Sequence, residues 1–196
     1  MLGELIKDIN KIIYLDGDTL IYGDLTEMYN LDMKNYYFRG IREIRRPMRY
    51  TNVSRYICAG VMLMNLELIR KNKVFEKFKN HYFFYANKGI YINDQFIINA
   101  LFTNNIGFLP PKYGMFYMDN DFLNQYRKMK HPIYNITDLI LAKEKPIIKH
   151  LWGKLPVKPW LFKGYDESKR EWNYFAKKTG YYSAICLFFK NACINI

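Results

Sequence analysis

Cysteine is scarce in this chain. Only Cys58, Cys186 and Cys193 occur among 196 residues, an odd number with no C-x-x-C pair. That excludes a disulfide framework and fits a reducing compartment. Long apolar runs are missing as well: no stretch approaches the ~20 residues that span a bilayer. The opening MLGELIKDIN lacks a basic start followed by an apolar core, so no secretion signal is expected. Acids are outnumbered, with 18 Asp and Glu against 30 Lys and Arg and a net charge of +12. A basic balance favours acidic partners, whether nucleic acid, an anionic membrane or phosphorylated substrates. Internal repeats and low-complexity linkers are absent too. Half the residues are hydrophobic, which excludes disorder and suits a single domain with a real core.

What is abundant is aromatic. The 18 Tyr and 14 Phe fall mostly within strand and helix patterns rather than in a basic, aromatic surface module, so no nucleic-acid partner is expected. KIIYL (residues 11–15) reads as a short buried strand, and GDLTEMY as a short helix with Asp24 as its N-cap. NYYFRGI and RYICAGVMLMNL read as strands, the second apolar on both faces. Between them REIRRPMRY is a basic loop broken by Pro47. Ile69, Phe75, Phe78 and Tyr82 recur at roughly helical spacing in a segment that stops at Gly89. NDQFIINALFTNN predicts a helix capped by Asn93 or Asp94 that buries Phe96, Ile97, Ala100 and Leu101. IGFLPP and KPIIKHLWG are short strands, and DESKREWNYFAKKTG is a basic, aromatic helix. Strands alternating with helices predict an α/β fold.

Chemistry concentrates where KIIYL ends. Asp16 and Asp18 follow with one glycine between them, and residues i and i+2 of an extended segment point to the same side. Ligands of open α/β sheets bind outside the carboxyl ends of strands. Two carboxylates there are either solvated turn residues or the holders of a divalent cation. His150 is a structural histidine at a strand end or a further ligand. Asp94 is a helix cap, a site residue, or both. His81 and His131 read as structural or solvent-facing.

The order of segments resembles glycosyltransferase family 8, a retaining class of the GT-A fold. YLDGDTLIYGDL is similar to the family's strand and D-x-D. CAGVMLMNL is similar to its N-A-G-V-x-L-x-N-L, and NDQFIINALF to its D-Q-D-x-L-N. LPPKY is similar to L-P-x-x-[YW], and IIKHLWGKLPVKPW to I-x-H-x-x-G…K-P-W. EWNYFAKKTGYY looks like the tail of bacterial lipopolysaccharide members. The resemblance implies a mixed sheet flanked by helices. It also implies Mn²⁺ (or Mg²⁺) on Asp16, Asp18 and His150, with Gly17, Gly153 and Lys158 around the diphosphate of a UDP-sugar. Cys58, Ala59 and Gly60, with Asp94 and Gln95, would line the donor sugar. Asp94 and Gln95 would sit nearest the reacting carbon, with a front-face attack easier to defend than a glutamine nucleophile.

Three departures stand out. Cys58 occupies the family's customary asparagine position, DQFIIN lacks the second acid of D-Q-D, and two extra residues separate Gly153 from Lys158. Only fifteen residues precede Asp16, where the family carries further βαβ elements. Residues 1–165 are therefore expected to be the C-terminal part of an N-terminally truncated GT-A domain. Residues 166–196 are expected to be a basic, aromatic helical tail.

The expected activity is transfer of glucose or galactose from UDP-glucose or UDP-galactose to a lipid-linked or lipopolysaccharide acceptor. It would take place in the cytoplasm, with peripheral contact at the anionic inner face of the membrane. The rival reading is a catalytically impaired fragment or partner subunit that binds glycan or an N-terminal complementing chain.

Overall fold

The computed structural model describes residues 2–43, 55–114, 120–128, 132–151, 159 and 167–183. Gly153, Lys158, His131, most of the basic stretch after Arg42 and the chain beyond residue 183 lie outside the described residues.

The elements in chain order are α1 (Leu2–Leu5), β1 (Lys11–Leu15), β2 (Thr19–Ile21), α2 (Thr26–Tyr29), β3 (Phe38–Arg42), β4 (Ile57–Asn65), α3 (Leu66–Lys71), α4 (Val74–Ala86), α5 (Asp94–Phe102), β5 (Ile106–Phe108), α6 (Asn120–Arg127), α7 (Ile136–Glu144), β6 (Ile148–His150) and α8 (Glu167–Lys178). The main sheet runs β1-β4-β3-β5, with β1 and β3 antiparallel to β4 and β5 parallel to β3. It is the mixed sheet flanked by helices that the sequence suggests.

The nine residues of β4 form the spine because both of their faces are apolar. Met62 and Met64 enter one core with Leu66, Ile69, Ile98 and Phe102. Val61 and Leu63 enter the other with Met28, Leu109, Tyr113 and Ile148. Fully buried aliphatic side chains such as Leu63 and Ile106 contribute about 1.5–3 kcal/mol each.

Strict alternation would send Ala59 and Ile57 to the same face as Val61. Both instead join the Met62 side. The pairing with β3 explains this. Gly40 faces Met62 but Arg42 faces Ile57, so β4 carries extra residues in a bulge at Cys58–Val61.

Four local expectations are corrected. The single helix ending at Gly89 is two helices, because Lys73 adopts a left-handed backbone (φ 49°) between α3 and α4. Tyr82, placed on that helix's apolar face, is exposed along with Phe83 and Phe84. On α5 the buried set is Ile97, Ile98, Asn99 and Phe102 rather than Phe96, Ile97, Ala100 and Leu101. Helical spacing alone does not say which stripe meets the sheet, and here the polar Asn99 lies on it. Asp24 is not the N-cap of α2, a position Leu25 takes. Asp24 instead accepts from the Thr26 amide and hydroxyl, both at 2.6 Å, closing a turn before the helix.

A second, two-stranded sheet pairs β2 with β6. Within KPIIKHLWG, Ile148–His150 is therefore a strand, but not one of the main sheet. Helix α8 docks against this pair. Glu171 is ion-paired with Lys149 of β6, and Phe175 packs edge-on against Tyr22 with ring centroids 5.1 Å apart.

Candidate metal and donor site

The loop from β1 to β2 is a tight turn. Both the amide and the hydroxyl of Thr19 donate to the Asp16 carbonyl, at 3.2 and 2.8 Å. Asp16 and Asp18 therefore converge through a turn, not through the extended geometry their spacing suggests. Thr19 stands opposite His150 in the β2–β6 register, and the Leu151 amide donates to the Asp18 carbonyl at 2.8 Å. This pairing carries His150 across 132 residues of sequence to Asp18.

The ring nitrogen Nε2 of His150 lies 3.1 Å from Asp18 Oδ1 and 3.8 Å from Asp16 Oδ2. One ligand atom from each of the three residues falls within 4.8 Å of the others. Ligands at about 2.0–2.6 Å from a shared ion are spaced on that scale. Two carboxylates and an imidazole suit a hard or borderline divalent cation. Exposure falls from 40% at Asp16 to 16% at Asp18 and 6% at His150, so the approach is from the Asp16 side. A Cβ at Gly17 would meet nothing within 4 Å, which leaves open room beside the two acids.

Electrostatics follow from this crowding. Burial pulls the His150 pKa down, but the hydrogen bonds to Asp18 and Cys58 and the Asp18 charge outweigh it, raising the value to about 9. Tyr14, two residues before Asp16 on β1, is hydrogen-bonded to the Asp16 carboxylate. That bond, burial and the charges of Asp16, Asp94 and Asp18 push its hydroxyl up to about 12. The Asp94 charge is thus near enough to be felt at Tyr14.

The bulge in β4 supplies the floor. The Asp16 amide donates to the Gly60 carbonyl at 2.8 Å. A Cβ on Gly60 would lie 2.2 Å from His150 Cε1 and 2.8 Å from Asp16 Oδ2, so only glycine fits. β1 ends at Leu15 opposite Val61, so the earlier residues of β4 have no partner from β1, and α5 meets their backbone with side-chain amides. Gln95 Oε1 accepts from the Ala59 amide at 3.1 Å. Asn99, fully buried, accepts from the Ile57 amide at 2.7 Å and donates to the Ile57 carbonyl at 2.9 Å. Leaving such a buried amide and carbonyl unpaired costs about 1–3 kcal/mol per group.

Of the two candidate caps of α5, the structure selects Asn93. Asn93 is the cap, accepting from the Phe96 amide at 2.9 Å, while Asp94 accepts from the neighbouring Gln95 amide at 2.8 Å and stays exposed.

The structure therefore brings together Asp16, Gly17, Asp18, Cys58, Ala59, Gly60, Asp94, Gln95 and His150. His81 is set edge-on to Tyr85 on α4. Tyr14 and Asn99 are site-supporting residues that the sequence reading missed. Tyr14 had a signal, sharing a strand face with Asp16. Asn99 had one too, as a lone amide one helical turn after Gln95.

This fold is that of the GT-A glycosyltransferases. The crystal structure of the galactosyltransferase LgtC in complex with donor and acceptor sugar analogues superposes with a TM-score of 0.71 at 22% identity, covering 90% of this chain and 64% of that one. The chain belongs to glycosyl transferase family 8, whose family model matches residues 1–164. A Haemophilus influenzae relative is 28% identical over 167 residues, 81% of this chain and 46% of that protein. The glycosyltransferase GlyE of Streptococcus pneumoniae is 28% identical over 203 residues, 95% of this chain and 45% of that protein. The chain spans about half the length of the curated relatives it matches.

Proposed function

We propose that this chain is the metal- and donor-binding part of a retaining hexosyltransferase. It would move glucose or galactose from a UDP-sugar to a lipopolysaccharide or related glycan acceptor. The observation that carries this reading is the meeting of Asp16, Asp18 and His150 over Gly60, in a chain of this family. Mn²⁺ or Mg²⁺ held there would act as a Lewis acid on the leaving diphosphate. Asp16, Asp18 and Nε2 of His150 would hold that ion. Cys58, Ala59 and Gly60 would form the wall beside the donor sugar. The exposed Asp94 carboxylate would orient sugar hydroxyls. The Gln95 oxygen is engaged by the Ala59 amide, which supports a positioning role and a front-face attack rather than a glutamine nucleophile. Gly153 and Lys158 remain the candidates for the diphosphate.

The test is hydrolysis and transfer with a panel of UDP-sugars, with and without Mn²⁺, followed by NMR of the anomeric proton. Metal-dependent release from UDP-glucose or UDP-galactose with an α-linked product is expected. A β-linked product would remove the retaining assignment. Mn²⁺ binding with no turnover of any donor would favour the rival reading, a partner subunit that binds without catalysing.

The same reading places the chain at an anionic membrane, where a lipid-linked acceptor would lie. Supporting this, α8 and the turn after it expose Tyr174 and Tyr181 among Lys169, Arg170, Lys177 and Lys178, with Lys178 stacked 4.2 Å over the Tyr174 ring. Each basic side chain near such a surface is worth about 1 kcal/mol. Flotation with phosphatidylglycerol vesicles should be strong for the natural chain and collapse when these four residues are changed to Gln. Equal flotation by both chains would remove this surface from the reading.

A further inference from the structure

We propose that Cys58 is the positioning residue for His150: its sulfur holds Nδ1–H and so aims Nε2 at the ion site.

The imidazole is gripped on three sides. Nε2 faces Asp18 Oδ1 at 3.1 Å and Asp16 Oδ2 at 3.8 Å, so a cation held between the acids would take this nitrogen. The Cε1 edge rests on the missing side chain of Gly60, where a Cβ would stand 2.2 Å from Cε1 and 2.9 Å from Nδ1. Nδ1 itself lies 3.7 Å from Cys58 Sγ, within reach of that larger, weakly accepting atom. A histidine that ligates through Nε2 must keep its proton on Nδ1, and a buried Nδ1–H needs an acceptor. The Cys58 sulfur is the acceptor in reach, placed there by the same β4 bulge that supplies Gly60. Gln95 and Asn99 hold that bulge through Ala59 and Ile57, on either side of Cys58. The cysteine that departs from the family's usual asparagine thus has a polar task, directed at the histidine rather than at the sugar.

The inference rests on the metal reading above for its effect on affinity, but the contact can be read without metal. Two measurements separate them. The first is Mn²⁺ affinity by electron paramagnetic resonance for the natural chain, Cys58→Ala and Cys58→Ser. The second is the imidazole ¹⁵N–¹H spectrum of the metal-free chains near pH 7, with His150 identified through His150→Gln. We expect Cys58→Ala to weaken Mn²⁺ binding about 10-fold, the scale on which outer-shell partners of metal histidines act. Cys58→Ser should recover to within about threefold. The Nδ1–H signal should persist in the natural chain and Cys58→Ser, and exchange away in Cys58→Ala.

Natural affinity in Cys58→Ala with its Nδ1–H still protected overturns the proposal. So does a Cys58→Ser as weak as Cys58→Ala, since the cysteine then matters only for its volume. A natural chain that protects Nδ1–H through Cys58 but holds no Mn²⁺ overturns the metal reading and leaves the contact standing.

Discussion

Gly60→Ala is expected to abolish Mn²⁺ binding. The added methyl would sit 2.2 Å from His150 Cε1 and 2.8 Å from Asp16 Oδ2, well inside van der Waals contact. The ring cannot retreat along β6, because its strand is paired with β2 and Leu151 is tied to the Asp18 carbonyl. The backbone of Gly60 cannot retreat either, because its carbonyl takes the Asp16 amide. The imidazole must therefore swing away from the carboxylates and the three-ligand cluster opens. Losing one ligand of three should weaken Mn²⁺ by more than about 100-fold, beyond the range for outer-shell changes. Overpacking adds a stability cost of about 1–3 kcal/mol. Gly23→Ala is the control, since its methyl would meet Ile147 at an ordinary 3.7 Å. Titration of both variants with Mn²⁺, alongside urea unfolding, decides the matter. A Gly60→Ala chain that binds Mn²⁺ like the natural one would show that His150 is not a ligand.

Mn²⁺ affinity is also expected to climb steeply with pH. His150 carries a pKa raised to about 9, burial opposing the charged form and the bonds to Asp18 and Cys58 prevailing. A value near 9 keeps the metal-free ring protonated at neutral pH, against the Asp18 carboxylate. Metal binding must expel that proton, so apparent affinity should rise by close to tenfold per pH unit and level off above about 9. Calorimetry in two buffers of different ionisation enthalpy should find about one proton released per ion near pH 7.

Stability of the metal-free chain runs the other way. A pKa raised above the unfolded value of about 6.5 stabilises the fold fully below that pH, and the contribution fades as pH rises through about 9. The metal-free melting temperature should fall across that window, and saturating Mn²⁺ should remove the fall. A pH-independent affinity between 6.5 and 9 would mean that His150 is neutral beside the two acids.

Much of the site was legible in the chain because its signals are local. Asp16 and Asp18 are a turn's width apart, the apolar run of β4 names its own burial on both faces, and Asn93 caps α5 by contacts no longer than three residues. The order of the motifs carried the family, since family 8 spaces them in one sequence. Errors came where a local pattern has two tertiary outcomes. Helical spacing at residues 67–89 could not report the left-handed Lys73 that splits it, nor which stripe of α5 meets β4.

The sequence by itself determined which chemistry is present: two acids at a strand end, one histidine far downstream, and a glycine within CAGV. Tertiary structure alone decided that they meet. His150 reaches Asp18 only because β6 pairs with β2 instead of joining the main sheet. Gly60 lies beneath the ring only because β4 bulges against β3 while α5 lends its amides to the stretch of β4 that outruns β1. Both are long-range hydrogen-bond choices. They depend on which unpaired backbone groups find partners across the fold, and no window of neighbouring residues encodes that.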